Sequence, residues 1–218
     1  MRENLRAVFE NKSWASVRKN APRSGPGSSL ENTATLRAAL PRLFAQYDVR
    51  SFFDAPCGDW FWMRQVDLTG IDYTGADISK ALIDENTAQF GRDGVRFLHL
   101  DITSDPLPKS DLLLCRDCLF HLKFWLRWQF FENFARSDSR YLLLTMHHVP
   151  TNERVHGNGG FKPFNPTVAP FNLPEPLELI PEHSDPVPRS VGLWTREQVA
   201  EAVANRDRSD PESAEVGA

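Results

Sequence analysis

The sequence predicts an α/β fold with a mostly parallel central sheet, helices on both faces of that sheet, and antiparallel strands near the C-terminus. Apolar, strand-like segments alternate with segments of helical periodicity, which is the pattern that produces parallel sheets. The segment Tyr141–His147 is almost continuously apolar, as expected for a strand that is covered on both faces. The 218 residues suffice for one domain with a sizeable core.

The individual elements follow from apolar spacing and from capping residues. Parallel strands are predicted over residues 49–53, 73–76, 95–100, 112–115 and 141–147. Helices are predicted over residues 30–47, 60–66, 79–90, 122–134 and 195–204, with Thr33 or Thr35, Ser79 and Thr195 as N-caps. Residues 177–180 and 190–194 are expected to pair as a hairpin.

Three regions are expected along the chain. Residues 1–29 form an N-terminal arm with a short helix and a glycine-rich connector, placed to cap a substrate site. Residues 30–204 form the main domain, and residues 205–218 form a polar, disordered tail. Within the main domain, residues 149–189 read as a loop or lid, because nine of the sixteen prolines lie between Pro150 and Pro188.

The composition excludes several classes of function. A net charge of -4 and a sequence pI of 5.9 argue against nucleic acid as a partner. The basic residues near the N-terminus are interleaved with acids and are interpreted as a solvated arm. No apolar run reaches the ~18 residues of a membrane helix. Three cysteines are too few for a disulfide scaffold, so a cytoplasmic location is expected.

Acidic residues follow four of the predicted strands: Asp54, Asp77, Asp101 and Asp117. The carboxyl ends of parallel strands meet at one edge of a sheet, where ligands bind in the crevice below the connecting loops. Gly58, in the turn after the first strand, allows the backbone to approach a ligand closely. The sequence therefore predicts one shared ligand site at this edge.

This order of strands, acids and glycine resembles the class I S-adenosylmethionine-dependent methyltransferases over residues 30–148, whose first strand ends in a DxGxG-type loop and whose second ends in an acid. The resemblance implies a Rossmann-like three-layer sandwich, S-adenosylmethionine as cofactor, and methyl transfer as the reaction. It implies that Asp54 and Gly58 form the cofactor loop and that Asp77 accepts both ribose hydroxyls. Asp101 would accept a hydrogen bond from the adenine amino group.

The expected cofactor site also includes the neighbours of these residues and one arginine after the fourth strand: Pro56, Cys57, Ile78, Ile102 and Arg116. Two positions depart from the family pattern. Pro56 replaces the first glycine of the loop, which removes an amide donor, and Trp60 stands where a third glycine often lies. Residues 59–62 could instead place aromatic side chains against the cofactor.

Histidines near the strand ends are candidates for catalysis. His121 or His147 could act as general base toward the methyl acceptor, and Asp117 and His148 are candidates for substrate contact. The alternative is structural, with Asp117 starting a helix and the histidines packed among their neighbours. The proposed acceptor is an oxygen or nitrogen of a small molecule or a glycan.

Other functions were weighed against methyl transfer. Cys115 and Cys118, with Cys57 and His121, could hold a metal, but their spacing is not typical of such sites, and no metal is expected. A nicotinamide-dependent oxidoreductase would require GxGxxG, whereas the loop DAPCGD has one glycine. A non-catalytic nucleoside-binding or partner-binding domain stays open. The aromatic run over residues 120–134 leaves room for a homodimer contact.

Overall fold

The computed structural model describes residues 5–10, 21–182 and 187–206, and shows one seven-stranded sheet with the order β3-β2-β1-β4-β5-β7-β6. The strands are β1 (Ser51–Asp54), β2 (Asp72–Asp77), β3 (Val95–His99), β4 (Leu112–Cys115), β5 (Tyr141–His147), β6 (Glu178–Pro181) and β7 (Arg189–Thr195). β1 to β5 run parallel, and β7 pairs antiparallel with both β5 and β6. The predicted sheet and hairpin are confirmed.

Helices cover both faces of the sheet. The helices are α1 (Leu5–Glu10), α2 (Ala34–Gln46), α3 (Lys80–Phe90), α4 (Phe124–Arg136) and α5 (Arg196–Ala204). Apolar side chains of α4 and α5 share one core cluster with Phe53 and Leu113, whereas those of α2 and α3 share the other with Phe52 and Leu112. Adjacent strand residues thus serve opposite cores, as the two-residue period of a strand requires. The three-layer fold class is confirmed.

Several local predictions can be compared with the structure. Ser79 caps α3 by accepting a hydrogen bond from the Leu82 amide. Thr33 precedes α2, but its hydroxyl donates to the Ser29 carbonyl and makes no side-chain cap. Residues 60–66, all of which the structure describes, were predicted to be helical. They form only a 3-10 turn at Met63–Gln65, because Trp60 has a left-handed φ of 54° that ends any helix there.

Two further predictions concern the ends of the chain and the membrane. The tail is described only as far as Arg206, so its predicted disorder lies outside the described residues. Most of the basic N-terminal patch lies outside them too. In the described part of the chain, no helix is both long and apolar enough to cross a membrane.

The last helix begins with a reciprocal cap. The Thr195 hydroxyl accepts a hydrogen bond from the Gln198 amide at 3.2 Å, and the Gln198 side chain accepts one from the Thr195 amide at 2.9 Å. This capping box satisfies two amides that the helix itself cannot bond. It also fixes the turn from β7 into α5.

Replacing Thr195 with alanine should lower the free energy of unfolding by about 1 kcal/mol, because one of these amides loses its acceptor. Urea unfolding followed by circular dichroism measures the change. Thr195→Ser keeps the hydroxyl and is the matched control. Equal stability of the alanine and serine variants would contradict the role assigned to the cap.

Candidate active site

A cavity of about 780 Å³ lies at the carboxyl edge of β1 to β4. Its wall includes every residue predicted for the cofactor site: Asp54, Pro56, Cys57, Gly58, Asp77, Ile78, Asp101, Ile102 and Arg116. Asp117 and His121 line it as well, whereas His147 and His148 do not. The parallel strands bring these residues together although they are spread over 68 positions of the sequence, from 54 to 121.

The loop after β1 is held against β2 and α3. The Cys57 amide donates to the Ala76 carbonyl at 2.8 Å, and the Asn86 side chain donates to the Gly58 carbonyl at 2.8 Å. Gly58 has a φ of 55°, a conformation that favours glycine. Its amide donates to Asp77 Oδ2 at 3.1 Å, so the glycine loop and the acid of the second strand form one unit.

The aromatic stretch after the loop divides between the cavity and the core. Trp62 lines the cavity, and the Arg116 guanidinium carbon lies 5.5 Å from the centre of its ring. Trp60 points the other way and packs against Tyr73, Phe90 and Phe97. Its positive φ shows that the backbone at position 60 keeps a glycine-like conformation despite the large side chain.

Asp77 and Asp101 present carboxylates that are held by local amides. Asp77 is buried, and its Oδ1 accepts a hydrogen bond from the Ser79 amide at 2.9 Å. Burial raises the pKa of Asp77, while the amides of Ser79 and Gly58 act in the opposite direction. Asp101 Oδ1 accepts from the amide and the hydroxyl of Thr103. Each carboxylate oxygen has two lone pairs, so these bonds leave acceptor capacity for a ligand hydroxyl or amine.

Four charged side chains form a ring at one wall of the cavity. Arg116 and Glu182 are buried, whereas Asp117 and Arg189 are partly buried, and all of them except Glu182 line the cavity. Arg116 donates from Nε to Glu182 at 2.8 Å and pairs with Asp117 at 3.0 Å. Arg189 pairs with Asp117 at 3.0 Å and with Glu182 at 3.4 Å, which closes the ring. Although burial acts to raise it, the two guanidiniums hold the pKa of Asp117 below its ordinary value. Two positive and two negative charges balance, which makes their burial tolerable.

Sequence reasoning missed Glu182 and Arg189, the two members of this ring at the end of the proline-rich segment. They lie 66 and 72 positions from their partners Arg116 and Asp117, and no motif marks them. The pairing of β7 with β5 and β6 brings Arg189 to the cavity and Glu182 to Arg116. β7 is buried along its whole interior, so no alternation along the chain indicates which side of the sheet they occupy.

The N-terminal connector lies along the cavity and is fixed at two points. The Gly27 carbonyl accepts a hydrogen bond from Arg116 Nη2 at 2.9 Å, and a Cβ at Gly27 would lie 2.6 Å from Asp117 Oδ2. On the other side, the amide of Arg23 and the hydroxyl of Ser24 donate to the Asp59 carboxylate. Residues 23–28 therefore form part of the cavity wall, and their closure over a substrate stays a prediction.

The three candidate histidines occupy different surroundings. His121 lines the cavity, and its Nδ1 donates to the Gly160 carbonyl at 2.6 Å, so the neutral ring carries its lone pair on Nε2. His147 is buried, and its Nδ1 accepts from the Phe164 amide at 3.1 Å. Burial and the charge of Arg189 lower the pKa of His147 to about 4. His148 bonds to Ser190 at 2.9 Å.

The segment after β5 explains why the two histidines at the end of that strand do not reach the cavity. The His147 amide donates to the Phe164 carbonyl, and the His148 amide donates to the Pro188 carbonyl. The returning chain therefore covers the end of β5. Of the three candidate histidines, His121 is the one that shares a cavity with the residues predicted for the cofactor site.

The cysteines are free thiols. Burial raises the pKa of Cys57 and Cys115, so both are uncharged at neutral pH. Among the residues that the structure describes, no group of three or more histidine, cysteine, aspartate or glutamate side chains is placed to hold a metal ion.

Comparison with known proteins assigns this fold. Residues 53–137 match the family described as a methyltransferase domain. The structure is similar to a Burkholderia thailandensis 1,6-didemethyltoxoflavin-N1-methyltransferase, solved with 1,6-didemethyltoxoflavin and S-adenosylhomocysteine, with a TM-score of 0.59 and 16% identity over 88% of this chain and 86% of that one. It is also similar to a Synechocystis magnesium protoporphyrin IX methyltransferase with bound S-adenosylmethionine. The TM-score is 0.57, and the identity is 11% over 89% of this chain and 98% of that one. No curated protein matches the sequence.

The solved structures define the fold, which is the Rossmann-like fold of S-adenosylmethionine-dependent methyltransferases. An N-methyltransferase from Bradyrhizobium japonicum shares it with a TM-score of 0.56 and 13% identity over 74% of this chain and 94% of that one. The family match over residues 53–137 and this fold agree with the resemblance that the sequence predicts. The predicted fold class is confirmed.

Asp77→Ala should weaken binding of S-adenosylhomocysteine by about 1.5–3 kcal/mol, because a charge-assisted acceptor is lost and the Gly58 amide loses its partner. Isothermal titration calorimetry measures the affinity. The matched control is Asp72→Ala, which removes an exposed acid at the opposite end of the same strand, paired with Arg96. Wild-type affinity in the Asp77 variant would refute the assignment.

Glu182→Gln should lower the free energy of unfolding by about 3–5 kcal/mol, because the buried Arg116 and the partly buried Arg189 lose one counter-charge. Urea unfolding measures the loss. Glu197→Gln is the control, since Glu197 forms an exposed pair with Arg196 that contributes little. If both variants were equally stable, the ring would not be a structural requirement.

Proposed function

We propose that the cavity at the carboxyl edge of β1 to β4 holds S-adenosylmethionine at its Asp77 side and a small-molecule or sugar-containing acceptor at its His121 side, and that an oxygen or nitrogen of the acceptor is methylated. One observation carries the proposal. A single cavity collects the glycine loop, the acids after β2 and β3, and the Asp117 to His121 turn. The volume of the cavity suits S-adenosylmethionine together with a small acceptor.

The residues present fit the cofactor. Asp77 keeps lone pairs on both oxygens for the two ribose hydroxyls. Gly58 lines the cavity beside it, and a Cβ at that position would lie 3.0 Å from Ser24 Cβ. Asp101 lies beyond β3 for the adenine amino group. Arg116 stands near the methionine portion, but its three nitrogens already bond Glu182, Gly27 and Asp117. We therefore assign Arg116 mainly to shaping the wall.

The acceptor side of the cavity combines polar and aromatic groups. Phe161 lines the cavity with 46% of its surface exposed, which is unusual for a large apolar side chain. Its ring packs edge-on against Phe120 at 5.3 Å between centroids. The Asp117 carboxylate and the Arg189 guanidinium lie on the same wall. These aromatic and charged side chains would complement an acceptor that has an apolar face and hydroxyl or amine groups.

The charges of the cavity argue against a polyanionic acceptor. Arg116 and Arg189 are paired with Asp117 and Glu182, and Arg23 is paired with Glu85. These arginines are thus neutralised within the protein, whereas nucleic-acid binding requires free positive charge at phosphates. Small-molecule acceptors are also named for the structurally similar enzymes, which act on a toxoflavin precursor and on magnesium protoporphyrin IX.

The chemistry divides between cofactor and protein. When bound, the cofactor supplies an electrophilic methyl group on a sulfonium. The protein aligns the acceptor, which can contribute up to ~7–11 kcal/mol, and excludes water with the N-terminal connector. Where the acceptor must lose a proton, Nε2 of His121 receives it, because Nδ1 is fixed as a donor to Gly160. The low pKa of His147 makes it a poor base near neutral pH.

Location and assembly belong to the same proposal. All three cysteines are free thiols, which fits a reducing compartment, and we propose the cytoplasm as the location. A homodimer would use the aromatic surface of α4. Most large side chains of that helix are buried within the chain itself, so little of its surface is left for a partner.

Calorimetry with S-adenosylmethionine, S-adenosylhomocysteine and NAD tests the cofactor assignment. Both sulfur nucleosides should bind and NAD should not. Transfer of a labelled methyl group to a panel of hydroxylated aromatics, amines and glycosides then tests the acceptor class. Binding of NAD alone would overturn the proposal. Cofactor binding without transfer to any member of the panel would favour a non-catalytic nucleoside-binding domain.

His121→Gln should lower the rate of methyl transfer to a hydroxyl acceptor by roughly 10²–10⁴, because the proton acceptor is lost. Affinity for S-adenosylhomocysteine should change little. His148→Gln is the matched control, since His148 lies outside the cavity wall. Equal rates for the two variants would show that His121 is not the base.

A further inference from the structure

Tyr73 lies behind the cavity, near the start of β2, and contacts Asp54, the first acid of the predicted cofactor loop. Its side chain is fully buried, with 0% of its surface exposed. The hydroxyl donates a hydrogen bond to Asp54 Oδ2 at 2.7 Å. Asp54 lines the cavity although only 2% of its surface is exposed. Tyr73, which no ligand can reach, therefore fixes the position of Asp54, which a ligand in the cavity can contact.

The position of the tyrosine hydroxyl is fixed by packing. The ring lies among Phe52, Trp60 and Phe97, with centroid distances of 5.8, 5.7 and 6.1 Å. Gly75, two residues along the same strand, leaves the space for it, because a Cβ there would lie 3.0 Å from the tyrosine oxygen. Burial and the nearby Asp54 raise the pKa of Tyr73, so its hydroxyl keeps its proton and remains a donor.

Asp54 is a carboxyl group whose charge depends on its neighbours. Burial raises the pKa of Asp54 to about 7, and Asp77 acts in the same direction. The Tyr73 hydrogen bond and the positive charge of Arg116 act in the opposite direction. The thiols of Cys57 and Cys115 also face this group, and burial raises the pKa of each, so they stay neutral. Tyr73 is therefore the neutral donor that favours the ionised form of Asp54.

We propose that Tyr73 is a positioning residue of the cofactor site, whose hydroxyl orients Asp54 and keeps it ionised so that it can face the cationic methionine portion of the ligand. The inference rests on the proposed function, since it needs a sulfur nucleoside in the cavity. The ammonium group of that ligand is stabilised by an ionised carboxylate and not by a protonated one.

The sign of the pH effect follows from linkage. The ligand favours the ionised form of Asp54, so below the pKa of that group binding must release a proton and the affinity falls as the pH falls. Well above the pKa the affinity reaches a plateau. Removal of the Tyr73 hydrogen bond raises the pKa of Asp54, because this bond lowers it in the wild type. The fall in affinity should therefore begin at a higher pH.

The test is calorimetric titration of S-adenosylhomocysteine into the full chain, as wild type and as Tyr73→Phe, from about pH 6 to about pH 9. At the acidic end the variant should bind roughly 2- to 10-fold more weakly than wild type, and the two affinities should converge at the alkaline end. Ionisation of the ligand itself cancels in the ratio of the two affinities. Tyr47→Phe is the matched control, because it removes a hydroxyl bound to Glu178 outside the cavity.

The possible outcomes distinguish a failure of the proposed function from a failure of the inference about Tyr73. If wild type binds no S-adenosylhomocysteine, the proposed function fails. If wild type binds but Tyr73→Phe gives a ratio that does not vary with pH, Tyr73 is only a packing residue and the inference is overturned. Should the variant fail to fold, Asp54→Asn provides the second measurement. It should remove the pH dependence of binding relative to wild type, and an unchanged pH profile in that variant would also overturn the inference.

Discussion

The parallel pairing of β1 to β4 is the constraint on which the rest of the molecule depends. Phe53 lies in register with Thr74 on one side and with Leu113 on the other, and β2 and β4 continue to Asp77 and Cys115, just beyond the partners of Asp54. The strand interiors are buried on both faces, and polar groups can therefore gather only where the strands end. The acids and the glycine loop meet at this edge because of that pairing, although they lie far apart in the sequence.

A second interaction joins the remaining segments to this edge. The ring of Arg116, Asp117, Glu182 and Arg189 links the end of β4 to the β6–β7 hairpin, and Arg116 also binds the N-terminal connector through Gly27. Charges in such surroundings are stable only when their partners are present together. The hairpin and the connector are therefore coupled to the cavity wall, and the wall holds its shape only when all three segments are in place.

In and next to the cavity, the surroundings assign different states to chemically similar groups. Asp117 is held ionised by two guanidiniums, whereas burial moves the pKa of Asp54 to about 7. His121 keeps a lone pair at the cavity, whereas the buried His147 serves as an acceptor for a backbone amide. The division resembles that of other enzyme sites, where the environment decides which of two like groups can carry charge or accept a proton. The state of each group therefore follows from its surroundings more than from its residue type.

The sequence by itself determined the succession of strands along the chain, the three layers and the acids and glycine that line one side of the cavity. Those features depend on local periodicity and on residues next to strand ends, such as Asp77 and Gly58, which are readable along the chain. Only the tertiary structure decided the composition of the other side of the cavity and the surroundings of each histidine. Antiparallel pairing across a proline-rich segment brings Arg189 to the cavity and Glu182 to Arg116, and the end of β5 is covered by the returning chain at Phe164. Such contacts join residues without a shared period or motif, and the cost of burying charge selects their partners only once the chain has folded.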